Sequence, residues 1–215
     1  MVSWTSWPKV RTPMGLDLRP KAPDDPLTLR ARRVHEVEGR GGRLFALLQA
    51  AQTKGPIFWI LPAYLPEGPM LWGLPQGMAE RLHLVRAKGE TDLLWATEEA
   101  LRSANVGAVL AEPDKPLSLT AGRRLQLAAE AGRTLGLMLI RQGQGSNATE
   151  TRWSCAPLPN PAVPADADST LHRWSLIKNK SGTLGDWTVR WNGASAAFHL
   201  VSKAGERPGL APPPL

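Results

Sequence analysis

A short glycine-rich loop is the first place in this sequence where residue types and spacing suggest chemistry. Residues 34–37 are typical of a buried strand. Gly39, Gly41 and Gly42 follow, with Arg40 and Arg43 beside them, directly before a helix-like segment. Backbone amides at the start of a helix bind phosphate, and guanidinium groups add charge-assisted hydrogen bonds. The five residues are therefore a candidate phosphate-binding loop.

The same loop lacks the groups that hydrolyse a nucleoside triphosphate. A working loop follows the pattern G-x-x-x-x-G-K-[ST], in which the lysine contacts the terminal phosphates and the hydroxyl binds the magnesium ion. Here the loop is shorter, Arg43 replaces the lysine, and Leu44 stands where the hydroxyl belongs. The sequence predicts a non-hydrolysing loop, and binding of a phosphate without cleavage is the alternative.

Composition excludes several other kinds of site. The chain has one cysteine, Cys155, and four histidines, with no metal-ligand spacing among them, so we expect no metal and no cofactor. The net charge of +7 favours a polyanionic partner or an acidic protein surface. No apolar stretch approaches the roughly 20 residues of a membrane helix, and the first residues lack a secretory signal. We expect a cytoplasmic protein with no membrane partner.

Apolar runs alternate with helix-like segments between residues 34 and 140, which predicts an α/β sheet of mainly parallel strands. The expected strands cover residues 34–37, 57–61, 82–85, 106–110 and 135–140, all apolar enough to be buried on both faces. The expected helices cover 43–52, 92–102 and 120–131, the second capped by Thr91.

The remaining third of the chain has a different pattern. Short alternating segments at 152–156, 173–178, 187–191 and 197–201 predict an antiparallel extension of the sheet, with Trp187, Val189 and Trp191 in the core and the alternate residues Thr188, Arg190 and Asn192 in water. Proline content divides the whole chain into three parts: a flexible arm at 1–28, a domain at 29–202 and a disordered tail at 203–215. The domain contains a proline-rich loop at 157–168.

Three segments carry a resemblance to a known family. After the strand, glycine loop and helix come LHLVRAKGETDLLWATEEALRSANVGAVLAE, LTAGRRLQLAAEAGRTLGLMLI and RWSLIKNK. This order resembles the RecA core, and most closely the degenerate RecA-like family ImuA, sometimes called SulA-like, over about residues 30–201. The resemblance implies a RecA-like sheet flanked by helices.

The resemblance also assigns roles to single residues. Glu112 matches the Walker B-like acid, and the alternative is that it is only a polar residue at the end of a strand. Pro62, Ala63 and Tyr64 stand where the catalytic glutamate of RecA belongs. The DNA-binding loop of RecA is shortened here to residues 143–149. Lys178 and Lys180 match the lysines that reach across to a neighbouring subunit, which implies a contact in trans; the alternative is that they are solvated edge residues.

Two further groups are candidates for partner contacts. Arg30, Arg32, Arg33, Arg123 and Arg124 are candidates for a DNA patch, or they are solvated helix and loop residues. Trp4 and Trp7 in the N-terminal arm are candidates for a partner anchor, or they pack on their own domain. The tryptophans inside expected elements, namely Trp59, Trp95, Trp153, Trp174, Trp187 and Trp191, are expected in the core.

The function implied by the resemblance is that of a non-catalytic accessory protein in SOS-induced, error-prone translesion DNA synthesis. The implied partners are ImuB, an inactive relative of Y-family polymerases, and through it an error-prone replicative-type polymerase and the sliding clamp. RecA and DNA are further candidates. The alternative is a SulA-type inhibitor that binds the tubulin-like division GTPase.

Overall fold

A computed structural model of the chain describes residues 27–66, 68–70, 73–74, 77–159, 169–192 and 197–208, with side chains described up to residue 190 except that of Ser169. In these ranges the strands are β1 (Val34–Glu38), β2 (Ile57–Pro62), β3 (Leu82–Ala87), β4 (Ala108–Ala111), β5 (Leu135–Leu139), β6 (Thr151–Leu158), β7 (Ser169–Asn179), β8 (Thr183–Asn192) and β9 (Ala197–Pro208). The α-helices are α1 (Gly42–Ala51), α2 (Glu90–Arg102) and α3 (Leu119–Gly132). A short 3-10 turn at Ala79–Arg81 precedes β3.

The described strands form a single sheet of nine strands in the order β3-β2-β4-β5-β1-β6-β7-β8-β9. The six strands from β3 to β6 are parallel, and β7, β8 and β9 are added in antiparallel fashion. The α/β class, the mainly parallel sheet and the antiparallel strands on its C-terminal side are confirmed. One detail differs, since β6 pairs in parallel with β1 before the antiparallel strands begin.

Helices cover the two faces of the parallel part unequally. Helix α1 packs on one face, in a core that continues under β6, β7 and β8 through Trp153, Trp174 and Trp187. Helices α2 and α3 pack side by side on the other face. Because helices cover both faces of the parallel strands, β1 and β4 are entirely buried.

Several expectations about the elements are wrong in detail. Strand β3 lies at the edge of the sheet and is half exposed, because it pairs only with β2. Helix α2 begins at Glu90 with Gly89 as its N-cap, so Thr91 lies inside the helix rather than capping it. Trp95 on that helix is 65% exposed, whereas the core was expected.

The boundaries of the proline-rich segments also shift. Strand β6 continues through Pro157 to Leu158, because Pro157 can lie in a strand where its missing N–H is not needed. Strand β9 runs to Pro208, so residues 203–208 belong to the sheet and not to a tail. Leu27 is buried in the α1 core, and Gln49 Nε2 donates to its carbonyl, so Leu27, which was assigned to the arm, belongs to the domain.

Candidate functional site

The candidate site is a cleft of about 460 Å³ at the carboxyl ends of the central strands. Loops that follow β1, β2, β4 and β5 meet there, which is the usual place for ligands in open α/β sheets. The polar and charged side chains that line the cleft are Arg40, Arg43, Tyr64, Glu112, Asp114 and Arg141. The fold thus brings the glycine loop and Glu112 to the same cleft.

Two amides of the glycine loop already have acceptors within the protein. The amide of Gly41 donates to the carbonyl of Cys155 at 2.9 Å, and the amide of Gly42 donates to the carbonyl of Gly39 at 3.0 Å. Gly39 has a positive φ of 89°, and a Cβ there would lie 2.4 Å from the Cys155 carbonyl oxygen. The loop therefore rests directly on β6, and two amides that would face a phosphate already have protein acceptors.

Glu112 lies at the end of β4 with both carboxylate oxygens occupied. Arg43 Nε donates to Oε1 at 3.0 Å and Arg43 Nη2 donates to Oε2 at 2.8 Å. Trp59 Nε1 also donates to Oε1 at 3.0 Å, and the Arg43 guanidinium carbon lies 5.9 Å from the centroid of the Trp59 ring. A bidentate guanidinium thus balances the charge that a magnesium ion would balance in a hydrolytic site.

Trp59 is a site residue that sequence reasoning assigned only to the core. Its ring is buried on β2, yet its indole N–H points at the acid of the neighbouring strand β4. A buried tryptophan usually finds an acceptor for this N–H, which is the signal that could have suggested the contact.

A second polar group faces the same cleft. The hydroxyl of Tyr64 donates to Asp114 Oδ1, and Arg141 Nη2 lies 3.6 Å from the same oxygen. The hydrogen bond to Asp114 raises the pKa of Tyr64 above 10.0. Tyr64 and Asp114 were not predicted to interact, although both follow strands of the parallel sheet. The cleft therefore holds two carboxylates, each next to an arginine.

Lys178 and Lys180 bind a loop of their own chain. Lys178 Nζ donates to the carbonyls of Thr149 at 2.6 Å and Ser146 at 3.1 Å, and Lys180 Nζ donates to the carbonyl of Ala148 at 2.7 Å. Partial burial lowers the pKa of Lys178. The predicted contact in trans stays a prediction; in this chain both ammonium groups hold the loop at residues 143–149.

A buried ion pair lies beneath that loop. Glu36, in the middle of β1, has no exposed surface, and its oxygens accept from Arg152 Nε at 2.9 Å, the Ser146 amide at 2.7 Å and the Thr149 hydroxyl at 3.0 Å. Buried charges persist where they are paired and hydrogen-bonded, as here. The loop at residues 143–149 is therefore tied to β1 through the Glu36 carboxylate.

The five candidate DNA-patch arginines differ in their surroundings. Arg30 and Arg33 form ion pairs with Glu150, Arg33 also pairs with Glu130, and Arg124 pairs with Glu98. Arg32 and Arg123 are exposed. Trp4 and Trp7, the candidate partner anchor, lie outside the described residues.

Other kinds of site are absent from the part of the chain that the structure describes. No group of three or more His, Cys, Asp or Glu residues there could hold a metal ion. None of the described helices has the length and apolar character needed to cross a membrane. Cys155 is buried, and burial raises the pKa of its thiol well above 9.0, as befits an inert strand residue.

Comparison with known proteins finds sequence similarity to one named protein. No protein-family model matches the chain. It is 36% identical to Protein ImuA from two strains of Caulobacter vibrioides over 141 residues, which covers 58% of this chain and 57% of the relative. These relatives support a relationship between this chain and the ImuA family. The resemblance to ImuA noted in the sequence is confirmed, and the chain spans a little over half the length of the curated ImuA proteins it matches.

Proposed function

We propose that this protein is a non-catalytic accessory factor of SOS-induced, error-prone translesion DNA synthesis. The proposal combines the ImuA relatives with one feature of the cleft, the bidentate ion pair between Arg43 and Glu112. That pair occupies the acid that would otherwise serve a metal–nucleotide complex. An acid that is already paired within the chain suits a protein that acts by binding.

Loss of ATP turnover follows from three local features taken together. The loop lacks the phosphate-binding lysine, its Gly41 and Gly42 amides are hydrogen-bonded within the protein, and Glu112 is neutralised by Arg43. Phosphoryl transfer depends on positioned charges that stabilise the transferring group. Without them the RecA-like frame that we propose has no means of hydrolysis and needs no cofactor.

The proposed partner is ImuB, and through it an error-prone replicative-type polymerase and the sliding clamp. RecA is a further protein partner, whose related surface this chain could cap. The net charge of +7 adds a general attraction to DNA as a secondary contribution. The proposed site of action is the bacterial cytoplasm.

The enzymatic half of the proposal is tested by measuring phosphate release from Mg–ATP with and without single-stranded DNA. We expect no turnover above background in the wild-type protein, and no change in Arg43→Ala or Glu112→Gln. Turnover that either substitution abolishes would show a surviving ATPase and would overturn the non-catalytic assignment.

The binding half is tested by capturing the tagged chain from DNA-damaged cells of its own species. We expect ImuB in stoichiometric amounts, together with a lower frequency of damage-induced mutation when the gene is deleted. Recovery of the tubulin-like division GTPase in place of ImuB would instead support the SulA-type alternative.

A further inference from the structure

Four neighbouring strands of the parallel sheet are each preceded by an exposed basic residue. Lys54 precedes β2, Arg102 ends the helix before β4, Arg133 precedes β5 and Arg32 precedes β1. The strands are adjacent in the order β2-β4-β5-β1. Because parallel strands begin at the same edge of a sheet, the four residues follow one another along that edge, at the end of the sheet opposite the cleft. We call them the amino-end row.

Backbone hydrogen bonds hold the segments that carry the row side by side. The Gly107 amide donates to the Pro56 carbonyl at 2.9 Å, and the Leu135 amide donates to the Gly107 carbonyl at 3.3 Å. The Gly136 amide donates to the Arg33 carbonyl at 3.0 Å. Adjacent strands are about 4.8 Å apart, so the row spans about 15 Å. At about 3.4 Å per nucleotide of a stacked strand, this length matches about four phosphates.

Two members of the row have a backbone conformation that favours glycine. The angle φ is 62° at Arg32 and 59° at Arg133, and in the described ranges these are the residues other than glycine with positive φ. Arg133 is also the C-cap of α3, next to the end of a helix where glycine commonly takes this conformation. Because both side chains are exposed, they add little packing that would offset the strain. Strain at such residues points to a contact outside the fold.

Glutamates also lie at this end of the sheet, and arginines already bind several of them. Glu130 and Glu150 pair with Arg33, which is outside the row. Glu98 is shared between Arg102 and a second arginine, so Arg102 contributes less charge than the rest of the row. Two further glutamates at this end are exposed and have no ion pair within the described ranges, namely Glu80 and Glu99.

The other members of the row keep their positive charge. Within the described ranges, Lys54, Arg32 and Arg133 have no acidic side chain at ion-pair distance. The same end of the sheet carries further cations besides Arg33, namely Arg30, Arg81 and Lys180. Cations therefore outnumber glutamates there. The C-termini of the three helices add about half a negative charge each, which still leaves an excess of positive charge.

The row has no apolar centre of the kind found in protein interfaces. The large hydrophobic side chains that are exposed in the described ranges lie on other segments, for example Trp95 midway along α2 and Leu127 midway along α3. Protein interfaces depend on buried apolar and aromatic side chains, whereas arginine and lysine supply much of the contact with a phosphate backbone. The composition of the row therefore favours a nucleic acid over a protein.

We propose that the amino-end row binds the phosphate backbone of single-stranded DNA. Lys54, Arg133 and Arg32 donate charge-assisted hydrogen bonds to successive phosphates, and a single row of cations fits a single strand. Binding is independent of base sequence, because the contacts are to phosphates. The inference rests on the DNA contribution to the proposed function and not on the binding of ImuB.

The test measures fluorescence anisotropy of labelled oligothymidine with the full chain at several salt concentrations. Arg32→Gly combined with Arg133→Gly weakens binding about tenfold at low salt and lowers the slope of log K against log salt by about 1.4, as expected for two lost phosphate contacts. The matched control, Lys88→Ala with Lys115→Ala, removes the same charge from two exposed lysines at the opposite end of the sheet. It leaves affinity and slope nearly unchanged.

Glycine and lysine variants separate binding from folding. Glycine suits a positive φ, so the thermal midpoint of Arg32→Gly with Arg133→Gly does not fall although DNA binding does. Arg32→Lys with Arg133→Lys keeps the charge at the same two backbone positions and retains most of the binding. A lysine variant as weak as the glycine variant would contradict phosphate binding through charge.

Two outcomes would overturn the amino-end row. One is failure of the wild-type chain to bind oligothymidine at low salt, and the other is an equal loss of binding in the glycine variant and in the Lys88→Ala, Lys115→Ala control. Neither outcome affects the binding of ImuB, which the glycine variant retains at the wild-type level. Failure of the wild-type chain to bind ImuB would overturn the proposed protein partner and leave the DNA site standing.

Discussion

At the scale of single residues, two carboxylates with little or no exposed surface are each paired with an arginine. Glu36 pairs with Arg152 and Glu112 pairs with Arg43. A buried carboxylate without a partner costs several kcal/mol, and each arginine offsets that cost for its acid. In the cleft, Arg43 provides this pairing for Glu112 with two hydrogen bonds.

Replacing Arg43 by alanine is expected to destabilise the fold by about 1–2 kcal/mol in urea unfolding. Glu112 then keeps only the Trp59 donor, while its side chain remains 14% exposed. The cost stays modest because the Arg43 side chain is 44% exposed and solvent screens the pair. Arg40→Ala, in the same loop but exposed, is the matched control, and equal stability of the two variants would contradict a structural role for Arg43.

His35 makes stability depend on pH. It is fully buried between the Thr151 hydroxyl and the Arg30 carbonyl, and burial lowers its pKa from 6.5 to about 4. The unfolded chain binds the proton more tightly, so the free energy of unfolding falls as pH drops from 6.5 to about 4. The slope contributed by His35 is about 1.4 kcal/mol per pH unit.

Urea unfolding of the wild type and of His35→Gln at several pH values measures this contribution. The variant should lose the His35 part of the acid sensitivity and keep a smaller part from His172, whose pKa burial also lowers. Parallel pH profiles for the two proteins would show that His35 does not carry the effect.

At the scale of elements, the contact between the glycine loop and β6 sets the shape of the cleft. The loop turns through Gly39 with its backbone against the Cys155 carbonyl, and the Gly41 amide fixes it there. Only glycine combines a positive φ with so close an approach. Strand β6 therefore decides how far the loop opens toward a ligand.

A pair of glycine substitutions isolates this contact. Gly39→Ala and Gly182→Ala both place a side chain at positive φ, 89° and 92° respectively, but only at Gly39 does the new Cβ meet backbone, since nothing lies within 4 Å at Gly182. Thermal and urea unfolding should show a loss of about 2–4 kcal/mol for Gly39→Ala and about 1 kcal/mol for Gly182→Ala. Similar losses would mean that the loop moves away from β6 without cost.

At the scale of the whole molecule, the excess of positive charge is distributed unevenly. Three of the five candidate DNA-patch arginines, Arg30, Arg33 and Arg124, form ion pairs with glutamates. Arg32 and Arg123 are exposed. We expect any attraction to DNA to depend more on Arg32 and Arg123, which have no ion pair among the described residues, than on the three paired arginines.

Fluorescence anisotropy with single-stranded DNA at several salt concentrations tests this distribution. Arg32→Ala with Arg123→Ala should reduce affinity and lower the slope of log K against log salt by about 1.4, as expected for two lost phosphate contacts. Arg33→Ala with Arg124→Ala is the matched control and should change the slope less, because each of these arginines is partly neutralised by a glutamate. A larger change in slope for Arg33→Ala with Arg124→Ala than for Arg32→Ala with Arg123→Ala would show that DNA binds the paired arginines.

Much of the fold followed from local pattern. Five of the six parallel strands and the three helices were located to within a few residues, because continuous apolar runs and helical periodicity arise within each segment. The missing lysine and hydroxyl of the glycine loop were also visible in the sequence, since a motif is defined by neighbours along the chain. The resemblance to ImuA rested on the same local segments.

The tertiary structure alone decided which distant groups meet. Arg43 and Glu112 are 69 residues apart, and their contact depends on the sheet order that places the end of β4 near the start of α1. The same holds for Gly39 against Cys155 and for the two lysines against their loop. The exposure of Trp95 was missed because helical spacing identifies a face of α2, but only packing against α3 and the sheet decides which side chains that face leaves in water.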